Sequence, residues 1–318
     1  MNVREQLLAL NDELRRLKSE GRRTVTISED NLDQLRQAVL AVTSVAVETP
    51  VIVNAAPAAT PEYFVPTKSA AAAPAAPDRV LGVAPSRTPA LPEPPPITLP
   101  EGDKRVRWAA LREIVLNDSV CRSHIFAGKK VVFGVGSVEA SIMFVGEAPG
   151  ADEEDLGEPF VGRAGQLLNR MIKAMGLERG QVYIGNILNW RPEMPRNSDG
   201  SQTGNRPPTA AEMAYCLPFI RAQIALIQPR VLVALGKTAV DGLLGADRFK
   251  SMGAARGAWH TYADTPLRAT YHPSYLLRQE GLTSASARKI KRDAWEDLLQ
   301  VMELAGLPIS DKQQKYFL

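Results

Sequence analysis

Four short strand-like runs, Ile142–Val145, Val182–Leu188, Val231–Leu235 and Leu267–Tyr271, constrain this chain more than any other feature. Each is bounded by turn residues, and each is followed by a helical pattern. Leu167, Leu168, Met171, Ile172 and Met175 follow the first run at helical spacing. Thr209-Ala210-Ala211-Glu212 follows the second as a capping box, opening a helix through Phe219, Ile220, Ile224 and Ile227. Gly236-Lys237-Thr238-Ala239 opens a short helix after the third, and Ile290, Ala294, Leu298, Val301 and Met302 mark a long one after the fourth. A helix carrying Trp108, Leu111, Ile114 and Val115, then a strand-like Val131-Val132-Phe133, stand ahead of them. Strands alternating with helices predict an α/β fold, three layers α/β/α with a mostly parallel central sheet.

In such a sheet, ligands bind beyond the carboxyl ends of the strands. The first run stops at Gly146, and Pro149-Gly150 turns the chain. Glu147 and Glu153 stand at that mouth, Asn186 ends the second strand, and His272 follows the fourth. Singly, these residues could cap a helix, satisfy backbone groups or hold a carbonyl. Together at one sheet edge they predict an active site.

Composition divides the rest. Residues 1–43 carry Val3, Leu7, Leu10, Leu14 and Leu17 on one helix face, a strand-like Thr24–Ile27, and a second helix capped by Ser28. This segment reads as a solvated helical hairpin or as an arm for a protein partner or self-association. Thirteen of the 24 prolines fall between Pro50 and Pro100, among alanine runs. That composition buries too little apolar surface to offset chain entropy, so residues 44–102 read as a disordered linker. The main domain is expected over 103–308, with a tail at 309–318. Net charge is +3, which permits nucleic acid as a partner without requiring it. Two cysteines exclude a disulfide framework and suit a reducing cytoplasm. The N-terminus has no apolar region of a secretory signal, and no membrane-spanning run is expected.

Gly146-Glu147-Ala148-Pro149-Gly150, then Pro159-Phe160-Val161-Gly162-Arg163-Ala164-Gly165, Asn186, Asn205-Arg206 and His272-Pro273-Ser274-Tyr275 resemble the ordered motifs of uracil-DNA glycosylases. The resemblance covers roughly residues 105–305 and is closest to the type 4 bacterial and archaeal group. It implies excision of uracil from DNA by hydrolysis of the N-glycosidic bond, in base-excision repair. Phe160 then matches the aromatic that stacks on the flipped base, Asn186 the reader of its edge, and the Ala148 backbone a further contact to a uracil oxygen. His272 matches the residue that stabilises the departing anion. Glu147 and Glu153 match two acidic positions whose roles the sequence does not apportion. Asn205, Arg206, Pro273, Ser274, Tyr275, Leu276 and Arg278 are expected at DNA. Leu276 or Leu277 would act as a wedge, and Arg288, Lys289, Lys291 and Arg292 would form a basic stripe.

The resembling group holds an iron–sulfur cluster on four cysteines. Here Trp190 stands at the third cysteine position, and only Cys121, Cys216 and a nearby His124 remain as residual metal candidates. The cluster is therefore expected to be lost and no cofactor is expected. Trp190 would fill its volume, and the loop Met194–Thr203 beside it would face DNA. The alternatives to an active glycosylase are an inactive DNA- or protein-binding relative, or a glycosylase for another deaminated base.

Overall fold

The computed structural model describes residues 91–197, 202–282 and 284–317. The expected hairpin at 1–43 and most of the expected linker lie outside them.

The domain opens with helices α1 (Lys104–Leu116) and α2 (Ser119–Ser123). Asp103 caps α1 by accepting from the Arg105 and Val106 amides, both at 2.9 Å. The sheet strands are β1 (Val135–Gly136), β2 (Ile142–Gly146), β3 (Tyr183–Asn186), β4 (Val231–Leu235), β5 (Trp259–Tyr262) and β6 (Thr265–Thr270). Between β2 and β3 run α3 (Ala151–Leu156) and α4 (Arg163–Ala174); α5 (Ala210–Ile227) links β3 to β4. After β4 come α6 (Lys237–Leu244) and α7 (Met252–Ala255); α8 (Pro273–Leu277), α9 (Ala285–Ala305) and α10 (Asp311–Gln314) follow β6. The strand order is β1-β3-β2-β4-β6-β5. β3, β2, β4 and β6 are parallel, and each edge strand is antiparallel to its neighbour.

Alternate residues of each central strand serve opposite layers. Met143, Val145, Leu232 and Ala234 pack with Ile220, Ile224 and Val240 on one face. Ile142, Phe144, Val231 and Val233 pack with Leu168, Ile172, Leu298 and Val301 on the other. A strand covered on both faces must be apolar throughout, which is why β2 and β4 read as continuous runs. The three-layer expectation and the mostly parallel sheet both hold. The capping box forms too: the Thr209 N–H donates to Glu212 Oε2 at 2.7 Å, and the Glu212 N–H to Thr209 Oγ1 at 3.2 Å.

Several expectations need correction. Val131–Phe133 is buried but is not a strand. The Val132 N–H donates to the Asn189 carbonyl at 2.8 Å, and the Asn189 carboxamide donates back to the Val132 carbonyl at 2.9 Å. One backbone bond and one side chain of the same asparagine thus take the place of a ladder. The hairpin β5–β6 was not expected, because its turn residues Ala263 and Asp264, both at positive φ, carry no Asn-Gly or Asp-Gly signal. Packing on the core also involves residues on either side of 103–308. Leu91, Ile97 and Leu99 pack on the core ahead of α1, and Ile309 and Tyr316 pack on it after α9. Finally, α5 has the length and apolarity of a membrane-crossing helix, which no segment was expected to have. It is a core helix here, with Tyr215, Cys216, Phe219, Ile220, Gln223 and Ile224 buried.

Candidate active site

The carboxyl ends of β2, β3, β4 and β6 align across the sheet. Gly146 pairs with Asn186, and Leu235 with Thr270. A cavity of about 610 Å³ opens there. It gathers Glu147, Ala148, Glu153, Phe160, Asn186, Asn205, Arg206, His272, Ser274, Tyr275 and Arg278, so segments far apart in sequence line one cavity.

Phe160 sits in a turn that the chain holds by force. Its φ is +54°, a conformation that a bulky residue rarely adopts. Both sides of the turn are clamped. Glu153 Oε1 accepts from the Val161 and Gly162 amides, each at 2.9 Å, while Oε2 accepts from the Gly150 amide at 3.0 Å. The Arg179 guanidinium donates to the Phe160 carbonyl at 3.1 Å and to the Pro159 carbonyl at 2.6 Å. Glu153, expected as a second catalytic acid, therefore spends both oxygens on backbone. The Phe160 ring, 5% exposed, lies with its centroid 5.5 Å from that of His272.

Below the ring is Gly146. A Cβ there would lie 2.4 Å from Phe160 Cζ and 2.5 Å from Asn186 Oδ1, so only glycine lets both residues share this floor. Asn186 is 7% exposed, and among the described residues its Oδ1 has no hydrogen-bond partner. An orphaned buried acceptor costs about 1–3 kcal/mol, and a ligand N–H would relieve it.

His272 caps α8, with the Ser274 N–H donating to Nδ1 at 3.1 Å and Ser274 Oγ 2.8 Å from the same nitrogen. A ring nitrogen that accepts from an amide carries no proton, so the proton of the neutral ring is assigned to Nε2. Burial, and then the charge of Arg278, push this imidazole down to about 4. It is a neutral hydrogen-bond donor at physiological pH. Glu147 accepts at Oε2 from the Thr238 hydroxyl.

The motif residues outside this centre are partly committed elsewhere. Arg206 makes a two-pronged ion pair with Glu212, at 2.7 and 2.8 Å. Asn205 Oδ1 accepts from Arg191 Nε at 2.8 Å. Buried Arg191 also pairs with buried Glu154 at 2.9 Å and donates to the Gly204 carbonyl at 2.7 Å, which ties the loop before Asn205 to α3. Pro273 is buried. Leu276, expected at DNA, is 6% exposed and faces an apolar groove between α4 and α9, whereas Leu277 is half-buried. Within the basic stripe, Lys289 pairs with Asp293, and Arg292 binds Glu296 and the Gln314 and Tyr316 carbonyls. Sequence reasoning missed Thr238, Gly236, Arg179 and Arg191. Gly236 and Thr238 were open to the same strand-end rule, since they follow β4.

The residues around Cys121 and Cys216 do not fit a four-thiolate cluster. The chain has two cysteines, both buried among Leu111, Leu188, Trp190, Tyr215 and Phe219. The neighbouring Cys216 sulfur, then burial, push the Cys121 thiol far above its usual range, opposite to what a thiolate ligand needs. His124 stacks flat on Trp190, centroids 4.6 Å apart, with Nδ1 3.6 Å from Glu193. Among the described residues no three His, Cys, Asp or Glu side chains form a metal-binding group, so Cys121, His124 and Cys216 do not make one.

A family profile described as the uracil DNA glycosylase superfamily matches residues 133–299. The chain is 35% identical over 178 residues to a type-4 uracil-DNA glycosylase of Pyrobaculum aerophilum, covering 54% of this chain and 85% of that protein. It is 36% identical over 168 residues to the type-4 enzyme of Thermotoga maritima, covering 53% and 79%. A type-5 uracil-DNA glycosylase of Pyrobaculum aerophilum is 29% identical over 185 residues, covering 51% and 74%.

Proposed function

The chain belongs to the uracil DNA glycosylase superfamily, and we propose that it excises uracil from DNA by hydrolysing the N-glycosidic bond and leaving an abasic site. The observation that carries this reading is the orphaned Oδ1 of buried Asn186, beside the clamped ring of Phe160.

A base inside a duplex is out of reach, so it is flipped out at a cost of a few kcal/mol. Stacking on Phe160 returns about 1–3 kcal/mol. The Asn186 carboxamide offers an acceptor for the uracil N3–H and a donor for a carbonyl. Cytosine has no N3–H, so it leaves that acceptor unpaired. As the bond lengthens, negative charge gathers on the base and positive charge on the sugar. The neutral His272 donates from Nε2 to the base anion, a preorganised hydrogen bond rather than an ion pair. The Glu147 carboxylate faces the sugar, where it offsets the cation or orients water. Glu153 acts by holding the turn. Leu277, rather than Leu276, is the side chain free to enter the stack, and Ser274, Tyr275 and Arg278 meet the DNA backbone.

The chain works without an iron–sulfur cluster, Trp190 and Tyr215 filling the volume that the thiolates would frame. This reading is supported by the two-cysteine count and the apolar packing around it. We further propose that the protein acts in the cytoplasm on uracil-containing DNA, and that residues 1–43 take a protein partner or self-associate.

The test is release of uracil from single- and double-stranded oligonucleotides, read as alkali-labile sites, on protein scanned for cluster absorption between about 300 and 500 nm. Excision without that absorption is expected. Asn186→Asp should lower excision by about 100-fold or more, because a carboxylate lacks the N–H donors. Near-normal turnover by that variant would remove Asn186 from its assigned role.

A further inference from the structure

We infer that Thr238 is a positioning residue for the reaction, holding the Glu147 carboxylate in its working orientation; this rests on the glycosylase reading above. Glu147 and Thr238 come from different strand ends. Glu147 follows β2, and Thr238 lies in the first turn of α6, just past β4. The two meet at 2.5 Å, Thr238 Oγ1 to Glu147 Oε2. Among the described residues this is the hydrogen bond that the Glu147 side chain makes, whereas Glu153 takes three backbone donors. Glutamate has three side-chain torsions, and a carboxylate left loose in a cavity of this size would sample several positions. One hydroxyl donor on Oε2 restricts them and leaves Oε1 open toward the reacting sugar or its water. The neighbouring cation does not compete, because both Asp241 oxygens engage Lys237 Nζ, at 2.6 and 2.7 Å.

The same junction also fixes the other catalytic group. Gly236 turns the chain from β4 into α6 at φ +88°, and a Cβ on it would come within 2.9 Å of His272 Cβ. Gly236 thus seats against His272 while Thr238, two residues on, reaches Glu147. A single turn thus touches both the acid and the histidine.

The experiment compares Thr238→Val, which keeps the branched shape and removes the hydroxyl, with Thr238→Ser, which keeps the hydroxyl. Single-turnover excision and binding of uracil-containing oligonucleotide are measured on the full-length protein, and both variants are repeated in a Glu147→Ala background. Thr238→Val should slow the excision step by about 10- to 100-fold, the worth of a hydrogen bond to a charged group, with DNA affinity changed less than about twofold. Thr238→Ser should come within about threefold of the unsubstituted rate. In the Glu147→Ala background, Thr238→Val should add less than about twofold, because its target is gone. Wild-type excision by Thr238→Val, failure of serine to restore the rate, or independent effects of the two sites would each overturn the inference. Inactivity of the unsubstituted protein on every uracil substrate is a separate result: it removes the glycosylase reading, and this inference with it.

Discussion

His272 shows how much one residue's surroundings decide. The sequence marks it as a histidine after a strand; its working charge comes from burial, from Arg278 and from the Ser274 amide on Nδ1. With the folded value near 4 against an ordinary 6.5, the unfolded chain takes up the proton first as pH falls. The fold is therefore unaffected by this group above about pH 6.5 and loses stability as pH drops from there to about 4, by about 3 kcal/mol in all. The expected NMR titration of the His272 ring has its midpoint near 4, and the excision rate has no step near 6.5. A midpoint near 6.5 would mean that neither burial nor Arg278 sets the charge of this ring. Asn186 and Phe160 follow the same logic. Their types are readable in sequence, but the orphaned oxygen and the positive φ are not, because both arise from neighbours that the fold supplies.

At the scale of elements, the site is a set of strand ends joined by clamped turns. The Pro159–Gly162 turn is held from one side by Glu153 and from the other by Arg179, neither adjacent to it in sequence. Glu153→Gln turns one acceptor oxygen into an NH₂ group and sets a donor against one of three backbone donors. We expect a loss of about 10-fold or more in apparent affinity for uracil-containing DNA, with a smaller effect on the excision step once DNA is bound. Concentration-dependent single-turnover kinetics separate the two. A loss confined to the excision step would return Glu153 to direct chemistry. The central strands and the long helices were legible because burial on both faces writes itself as apolar runs and helical spacing. The β5–β6 hairpin was not, since its turn is imposed by the sheet rather than by turn-forming residues. Val131–Phe133 misled for the converse reason: an apolar run can be buried in the core, tied to a single asparagine, and never join a ladder.

At the scale of the molecule, the domain is wider than its motifs. Leu91, Ile97 and Leu99 lie in a proline-rich stretch without helix or strand, yet they pack on two core clusters. Composition hid this, because three apolar residues among prolines look like a tether until a surface is there to receive them. A chain starting at residue 103 should be less stable than one starting at residue 91. At about 1 kcal/mol for each partly buried side chain, the deficit is roughly 3 kcal/mol, or about 6–12 °C in Tm. Equal melting temperatures would show that these contacts contribute nothing.

The sequence by itself determined the layers, the strand ends that carry Glu147, Asn186 and His272, and the family. These follow from local patterns: apolar runs, helical spacing and ordered motifs are properties of neighbouring residues. Only the tertiary structure decided which of these side chains line the cavity and which are committed to the frame. It turned Glu153 into a clamp and Leu276 into core, brought Thr238 to Glu147, and packed Trp190 against His124 and Tyr215. Those assignments depend on distances between segments far apart in the chain, and a linear pattern carries no distance.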